Sequence, residues 1–176
     1  VSVHLLEVYM DDFIGATNSK NLPYIRHLSR AMLHDIHCVF PPPSVTNHEG
    51  GDPISEKKIE QGNGTWSHVK EILGWVFDGH NYTLNLADKK CTEIMNIICG
   101  MLRLRRSSLK QYQKLAGKLQ HASFGLPGGS DLFSPIQMAM LGDPPFIPLT
   151  NDLKKVLSDW KHIIRVMTIT PTSVLQ

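Results

Sequence analysis

Asp11 and Asp12 stand side by side where one mostly apolar run, Val3 to Val8, gives way to another, Phe13 to Ala16. Two short apolar runs around such a break predict a β-hairpin with both carboxylates at or near its turn. Backbone geometry there holds two negative charges at one point, and such a point suits a hard divalent cation, Mg²⁺ above all. When two such ions act on a phosphoryl group, one activates the attacking 3′ hydroxyl and the other stabilises the leaving pyrophosphate, so carboxylates must bridge both. An Asp-Asp pair by itself also fits a solvated turn, so its neighbours along the chain must decide.

A second feature able to do chemistry is a block of positive charge. The chain of 176 residues has 18 Lys and Arg against 16 Asp and Glu. Residues 88–121 hold eight of the basic residues (Lys89, Lys90, Arg103, Arg105, Arg106, Lys110, Lys114, Lys118) but only Asp88 and Glu93, a local charge of +6 that leaves −4 for the remainder. One strongly basic segment in a near-neutral chain points to a polyanion partner for that segment; the other reading of a lysine stripe is solvated surface. Cys38, Cys91 and Cys99 are odd in number and have no framework spacing, which fits an intracellular, reducing setting. His27, His34, His37 and Cys38 share a helical face, but a zinc site needs four converging ligands and no CxxC pair supplies the other half, so a partly buried helical face is expected.

The elements that must position these groups follow from periodicity. Ile25, Leu28, Met32 and Ile36 predict a helix that ends before Pro41, Pro42 and Pro43. Residues 40–65, rich in Pro, Gly, Asn and Ser, read as a long loop holding at most one short strand, Ile54 to Ile59. Leu73, Trp75 and Phe77 alternate, Asp78 and Gly79 signal a turn, and Tyr82, Leu84 and Leu86 alternate again, a second hairpin. Asp88 is placed to cap a helix with Cys91, Ile94, Met95, Ile98 and Leu102 on its apolar face. Ser108 and Gln111 form a capping box for the next helix, which buries Leu109, Tyr112, Ala116, Leu119 and Ser123, carries Lys110, Lys114 and Lys118 as a stripe, and stops at Gly125 and Pro127. After a stretch broken by prolines as far as Pro148, Thr150 or Asn151 caps a last helix through Leu153, Val156, Leu157, Trp160, Ile163 and Ile164. Val1 reads as lying inside a strand and Val166 to Gln176 as an element just beginning, so the chain is expected to be an excerpt. Neither a membrane span nor a secretory leader is expected.

In this setting Tyr9, Met10, Asp11 and Asp12 resemble the active-site hairpin of reverse transcriptases, and the resemblance runs on in order through most of the chain. After an amphipathic helix, Ile54 to Ile59 with Lys57 and Lys58 looks like the strand carrying the family's palm lysine. Glu71 to Val76 is similar to the hairpin that grips the primer end, and Leu84 to Cys91 with the helix pair through Leu115 to Leu119 looks like the thumb of retrotransposon-type enzymes. The resemblance implies an α+β fold: a partial polymerase palm, β-hairpins with a packed helix, followed by a helical thumb. It divides the chain into the C-terminal part of the palm (1–87), a thumb-like helix pair (88–128) and a connection (129–176) toward a ribonuclease H domain.

By that resemblance Asp11 would be the main metal-bridging carboxylate with Asp12 its neighbour, binding Mg²⁺ (two ions in the complete enzyme) or Mn²⁺. Lys57 or Lys58 would protonate the departing pyrophosphate. Tyr9 and Met10 would lie near the nascent base pair, and Leu73, Gly74 and Trp75 would position the primer; the other reading of Gly74 and Trp75 is an ordinary hairpin core. Arg103, Arg105, Arg106, Lys110, Lys114 and Lys118 would meet nucleic acid. The partners implied are an RNA or DNA template-primer and deoxynucleoside triphosphates, and the location intracellular, cytoplasm or nucleus. The complete enzyme also needs a further carboxylate and the fingers from a preceding segment, so the 176 residues are expected to be inactive alone. Two other readings stand beside this one: a nucleic-acid-binding helical module without catalysis, and a decayed retroelement relic.

Overall fold

The computed structural model describes residues 4–9, 12–41, 54–62, 64–126 and 129–174, with only the backbone of 4–9, 12, 129 and 130. The chain forms two compact units, Val1–Thr65 and Trp66–Gln176.

In the first unit, β1 (His4–Tyr9) and β2 (Asp12–Thr17) pair antiparallel, from His4 opposite Thr17 to Tyr9 opposite Asp12. Only Met10 and Asp11 separate the strands in sequence, and both lie outside the described residues. Helix α1 (Leu22–Val39) follows. Asn21 caps it, its side chain accepting from the Tyr24 amide at 3.2 Å, and Pro23 sits in the first turn, where no donor is needed. The ring of Phe13, next to Asp12, meets Phe40 at the helix's far end edge-on, 6.2 Å between centroids. The segment expected to be a strand carrying Lys57 and Lys58 is instead a single helical turn, α2 (Glu56–Glu60). Ser55 caps it through the Lys58 amide, Glu56 occupies its positive end, and Ile54 and Ile59 are five residues apart, which no two-residue alternation supports.

The second unit is an antiparallel sheet with helices packed on it, an α+β arrangement. The sheet comprises β3 (Val69–Ile72), β4 (Trp75–Asp78) and β5 (Thr83–Leu86), extended by β8 (Thr172–Ser173) against β5. Ile72, Trp75 and Leu86 lie in one cross-strand row, and the last two enter the core. Leu73 was expected within a strand but lies in the turn, which leaves the β4–β5 connection to Gly79–Tyr82. There Asp78 accepts from the His80 and Asn81 amides and the Asn81 side chain, bonds that hold its carboxyl below the usual value.

The helices are α3 (Asp88–Leu102), α4 (Leu109–Ser123), α5 (Gly129–Met138) and α6 (Asn151–Ile169). Asp88 does not cap α3; Ala87 holds that position without a side-chain bond, and Asp88 stands in the first turn, where its charge favours the positive end. Ser108 does cap α4 through the Gln111 amide at 3.3 Å, but the Gln111 side chain turns to the Ser107 hydroxyl rather than closing the box. Leu115 and Ala122 join Tyr112, Ala116 and Leu119 on the buried face. Helix α5 departs from the expected Pro-broken stretch: Pro135 lies inside it, and Phe133 and Ile136 bury themselves in the shared core. Tertiary burial here outweighs the loss of one amide donor.

Thr150 caps α6 through the Leu153 amide, and Trp160, 1% exposed, donates from its ring nitrogen to the Leu132 carbonyl of α5 at 3.1 Å. Residues 166–174 complete this unit, with α6 running to Ile169 and β8 closing the sheet, instead of starting a new element. Strands β6 (Arg106–Ser108) and β7 (Phe146–Pro148) pair beside the helices. Helix α3 packs chiefly along α6, so the helices form one cluster with the sheet rather than a free-standing pair.

Candidate nucleic-acid interface

The turn between β3 and β4 joins sheet and helices. Leu73 (φ +55°) and Gly74 (φ +84°) are both left-handed, as in the two-residue turns whose twist matches a hairpin. Glycine takes this conformation freely, whereas a leucine there is strained by about 1–3 kcal/mol. Two bonds hold it in place. The Leu73 carbonyl lies 3.0 Å from Nε2 of His121 on α4, which donates in the tautomer protonated there, and the Gly74 carbonyl accepts from the Ala87 amide ahead of α3 at 3.0 Å.

Side chains then crowd the turn from three directions. Lys90 of α3 lies across Gly74, and a Cβ at that position would come 2.8 Å from its Cε. Trp75, 7% exposed, lies tilted against the His121 ring at 5.6 Å. Its far edge meets Gly125, where a Cβ would fall 2.3 Å from Cη2. Trp75 is thus a core residue that fixes the turn from beneath, while Leu73 stays 38% exposed at its tip.

Charge surrounds this structure unevenly. Lys118 of α4 reaches Glu93 of α3, Nζ to Oε2 2.7 Å, a bond that holds the Glu93 carboxyl below its usual value with further help from the charges of Lys114 and Lys90. Three lysines therefore share one carboxylate beside the turn, an excess of two positive charges. Lys110 and Lys114 are exposed, about 6 Å apart along the helix axis, whereas Lys118, expected to be part of a uniform stripe, is half-buried and ion-paired. Arg103, Arg105 and Arg106 are exposed around the link from α3 to β6, and the Arg106 guanidinium lies 4.8 Å over the Phe146 ring. A positive, rigid surface with an exposed apolar tip can hold a phosphate backbone and a terminal base or sugar.

Sequence reasoning missed Lys90, Glu93 and His121 as parts of this surface. Lys90 and Glu93 were visible only as members of a basic block, and His121 had no signal beyond lying three residues past Lys118 on one helix. The Leu73-Gly74 pair did carry one, since glycine between alternating strands marks a turn.

The other expected site residues lie in the first unit. Tyr9 and Asp12 face each other at the end of the β1–β2 ladder, but their side chains, like Met10 and Asp11 entirely, fall outside the described residues. Lys57 and Lys58 are exposed on α2. On α1, His27, His34 and Cys38 are exposed rather than partly buried, because Ile36 and its apolar neighbours occupy the covered face. Among the described residues no three His, Cys, Asp or Glu side chains converge as a metal site, and no helix is long and apolar enough to cross a membrane.

No protein-family model, curated protein or solved structure matches the chain.

Proposed function

We propose that the chain is the C-terminal palm and thumb of a retrotransposon-type reverse transcriptase, an RNA-directed DNA polymerase, and that its second unit holds the primer end of a template-primer. The observation that carries this reading is the strained Leu73-Gly74 turn, braced by His121 and Ala87 and overlaid by Lys90, beside a lysine-rich helix face. A turn that only connected two strands would gain by replacing leucine with asparagine or glycine. Strain kept at an exposed, positively charged tip has a use if that tip touches a ligand. Lys90, Lys110 and Lys114 hold the phosphates in this reading, and Leu73 packs against the primer terminus.

Asp11 and Asp12 are the residues that would hold Mg²⁺, which when bound supplies charge stabilisation for nucleotidyl transfer. The hairpin register suits that role, because Tyr9 pairs with Asp12 and the acidic pair therefore falls at the strand ends. Lys57 and Lys58, on a helical turn, give no support to the palm-lysine assignment.

The experiment that tests the metal part uses Mn²⁺ as a paramagnetic probe of the 176-residue chain. Two carboxylates and water form an incomplete shell, so binding in roughly the millimolar range is expected. Amide signals of Phe13 and Ile14 should broaden well before the indole signal of Trp160. Uniform broadening along the chain, or broadening unchanged by Asp11→Asn, would rule out the metal site. A nucleic-acid-binding module without catalysis would keep the basic surface and lose this response.

A further inference from the structure

On the exposed face of α1, away from the acidic hairpin tip in sequence, the Cys38 sulfur lies 3.6 Å from Nδ1 and 3.7 Å from Nε2 of His34, one helical turn before it. A tetrahedral zinc bound at about 2.0 Å to an imidazole nitrogen and about 2.3 Å to a thiolate holds those donors about 3.5 Å apart. The two side chains thus already stand at the spacing that one metal ion requires. Both are open to solvent: Cys38 is exposed and the His34 side chain is 76% accessible, so the ring can turn a lone pair toward the ion without disturbing the helix.

A second contact selects the nitrogen. Asp35 Oδ1 lies 3.5 Å from Nδ1 of His34. That carboxylate favours the tautomer with the proton on Nδ1, which leaves the Nε2 lone pair for a metal, the arrangement by which carboxylates orient histidine ligands. A thiolate with an imidazole is a soft to borderline donor set, suited to Zn²⁺ and unsuited to Mg²⁺ or Ca²⁺.

We infer that His34 Nε2 and Cys38 Sγ form a two-ligand site for Zn²⁺ on the surface of α1, with Asp35 orienting the imidazole and water completing the tetrahedron. Binding releases the thiol proton to solvent and involves no redox step. The site stands apart from the polymerase reading, and neither depends on the other.

Cobalt is the probe, because a Co²⁺–thiolate bond gives a near-ultraviolet charge-transfer band that Co²⁺ on histidine or carboxylate alone lacks. Titrating Co²⁺ into the full, reduced chain should produce that band, Zn²⁺ should displace it, and Cys99→Ser should leave it intact. Cys38→Ser should abolish it. His34→Gln should weaken Co²⁺ binding by more than about tenfold and Asp35→Asn by about tenfold. All these positions except Cys99 are exposed, and unchanged far-ultraviolet circular dichroism verifies that each variant folds. Absence of the band in the parent chain, its survival in Cys38→Ser, or equal affinity in His34→Gln overturns the site.

Discussion

Raising the salt from about 50 mM to about 200 mM should weaken duplex binding by the isolated chain roughly a hundredfold, because about four phosphate contacts give a slope near −3.6 in log K against log salt. Lys90, Lys110, Lys114 and one of the arginines supply those contacts. Arg106 is engaged with Phe146 and Lys118 with Glu93, so neither is free to contribute fully. Replacing Lys90, Lys110 and Lys114 together with alanine should flatten the slope by about one unit for each phosphate no longer neutralised. The opposite change is the sharper test. Glu93→Gln removes the internal counter-charge, releases Lys118, and should tighten binding and steepen the slope by about one unit. Substituting Lys154, Lys155 and Lys161 on α6 serves as control, and an equal weakening there would reduce the helix face to ordinary solvated surface.

The second large effect is on stability. Trp75→Ala should cost the second unit about 3–5 kcal/mol, since it empties a core position beneath the turn. Gly125→Ala should cost about 1–3 kcal/mol for the reverse reason, a methyl group driven into the indole edge. Combining Gly125→Ala with Trp75→Phe, which withdraws that edge, should cost less than the sum of the two single changes, by about 0.5–3 kcal/mol. Denaturation followed by the fluorescence of Trp160, buried in the same core, measures all of these. Strict additivity would mean that the close approach does not govern the site.

These effects also show which parts of the molecule were legible in the sequence. The faces of α3, α4 and α6 could be read from apolar spacing, and Asn21, Ser108 and Thr150 each cap a helix through a local bond. The side-chain caps on α1, α4 and α6 depend on residues within three positions of one another, which is the range sequence reasoning commands. Helix α5 was hidden because Pro135 argues against it locally and only the burial of Phe133 and Ile136 against distant elements justifies it. Helix α2 was misread because two isoleucines suggested a strand, while Ser55 and Glu56 carried the signal that prevailed.

For the interface, the lysines were visible as charge, but the bracing of the turn was not. His121 reaches Leu73 across 48 positions, and Trp75 meets Gly125 across fifty, approaches that exist only once the sheet has packed on the helices. The ion pair of Glu93 with Lys118 has the same origin, and it changes a uniform stripe into a surface with an internal brake.

The claim that the Leu73-Gly74 turn holds a primer end is tested most directly by photocrosslinking. A template-primer carrying a photoreactive nucleotide at the primer 3′ terminus is bound to the 176-residue chain at low salt, irradiated, and the linked peptide identified. Crosslinks should concentrate on the peptides containing Leu73, Gly74, Lys90 and His121, and should disappear in Leu73→Asn, whose turn should be as stable as the parent's or more so. Crosslinks spread evenly over the lysines of α4 and α6, or unchanged by Leu73→Asn, would contradict it.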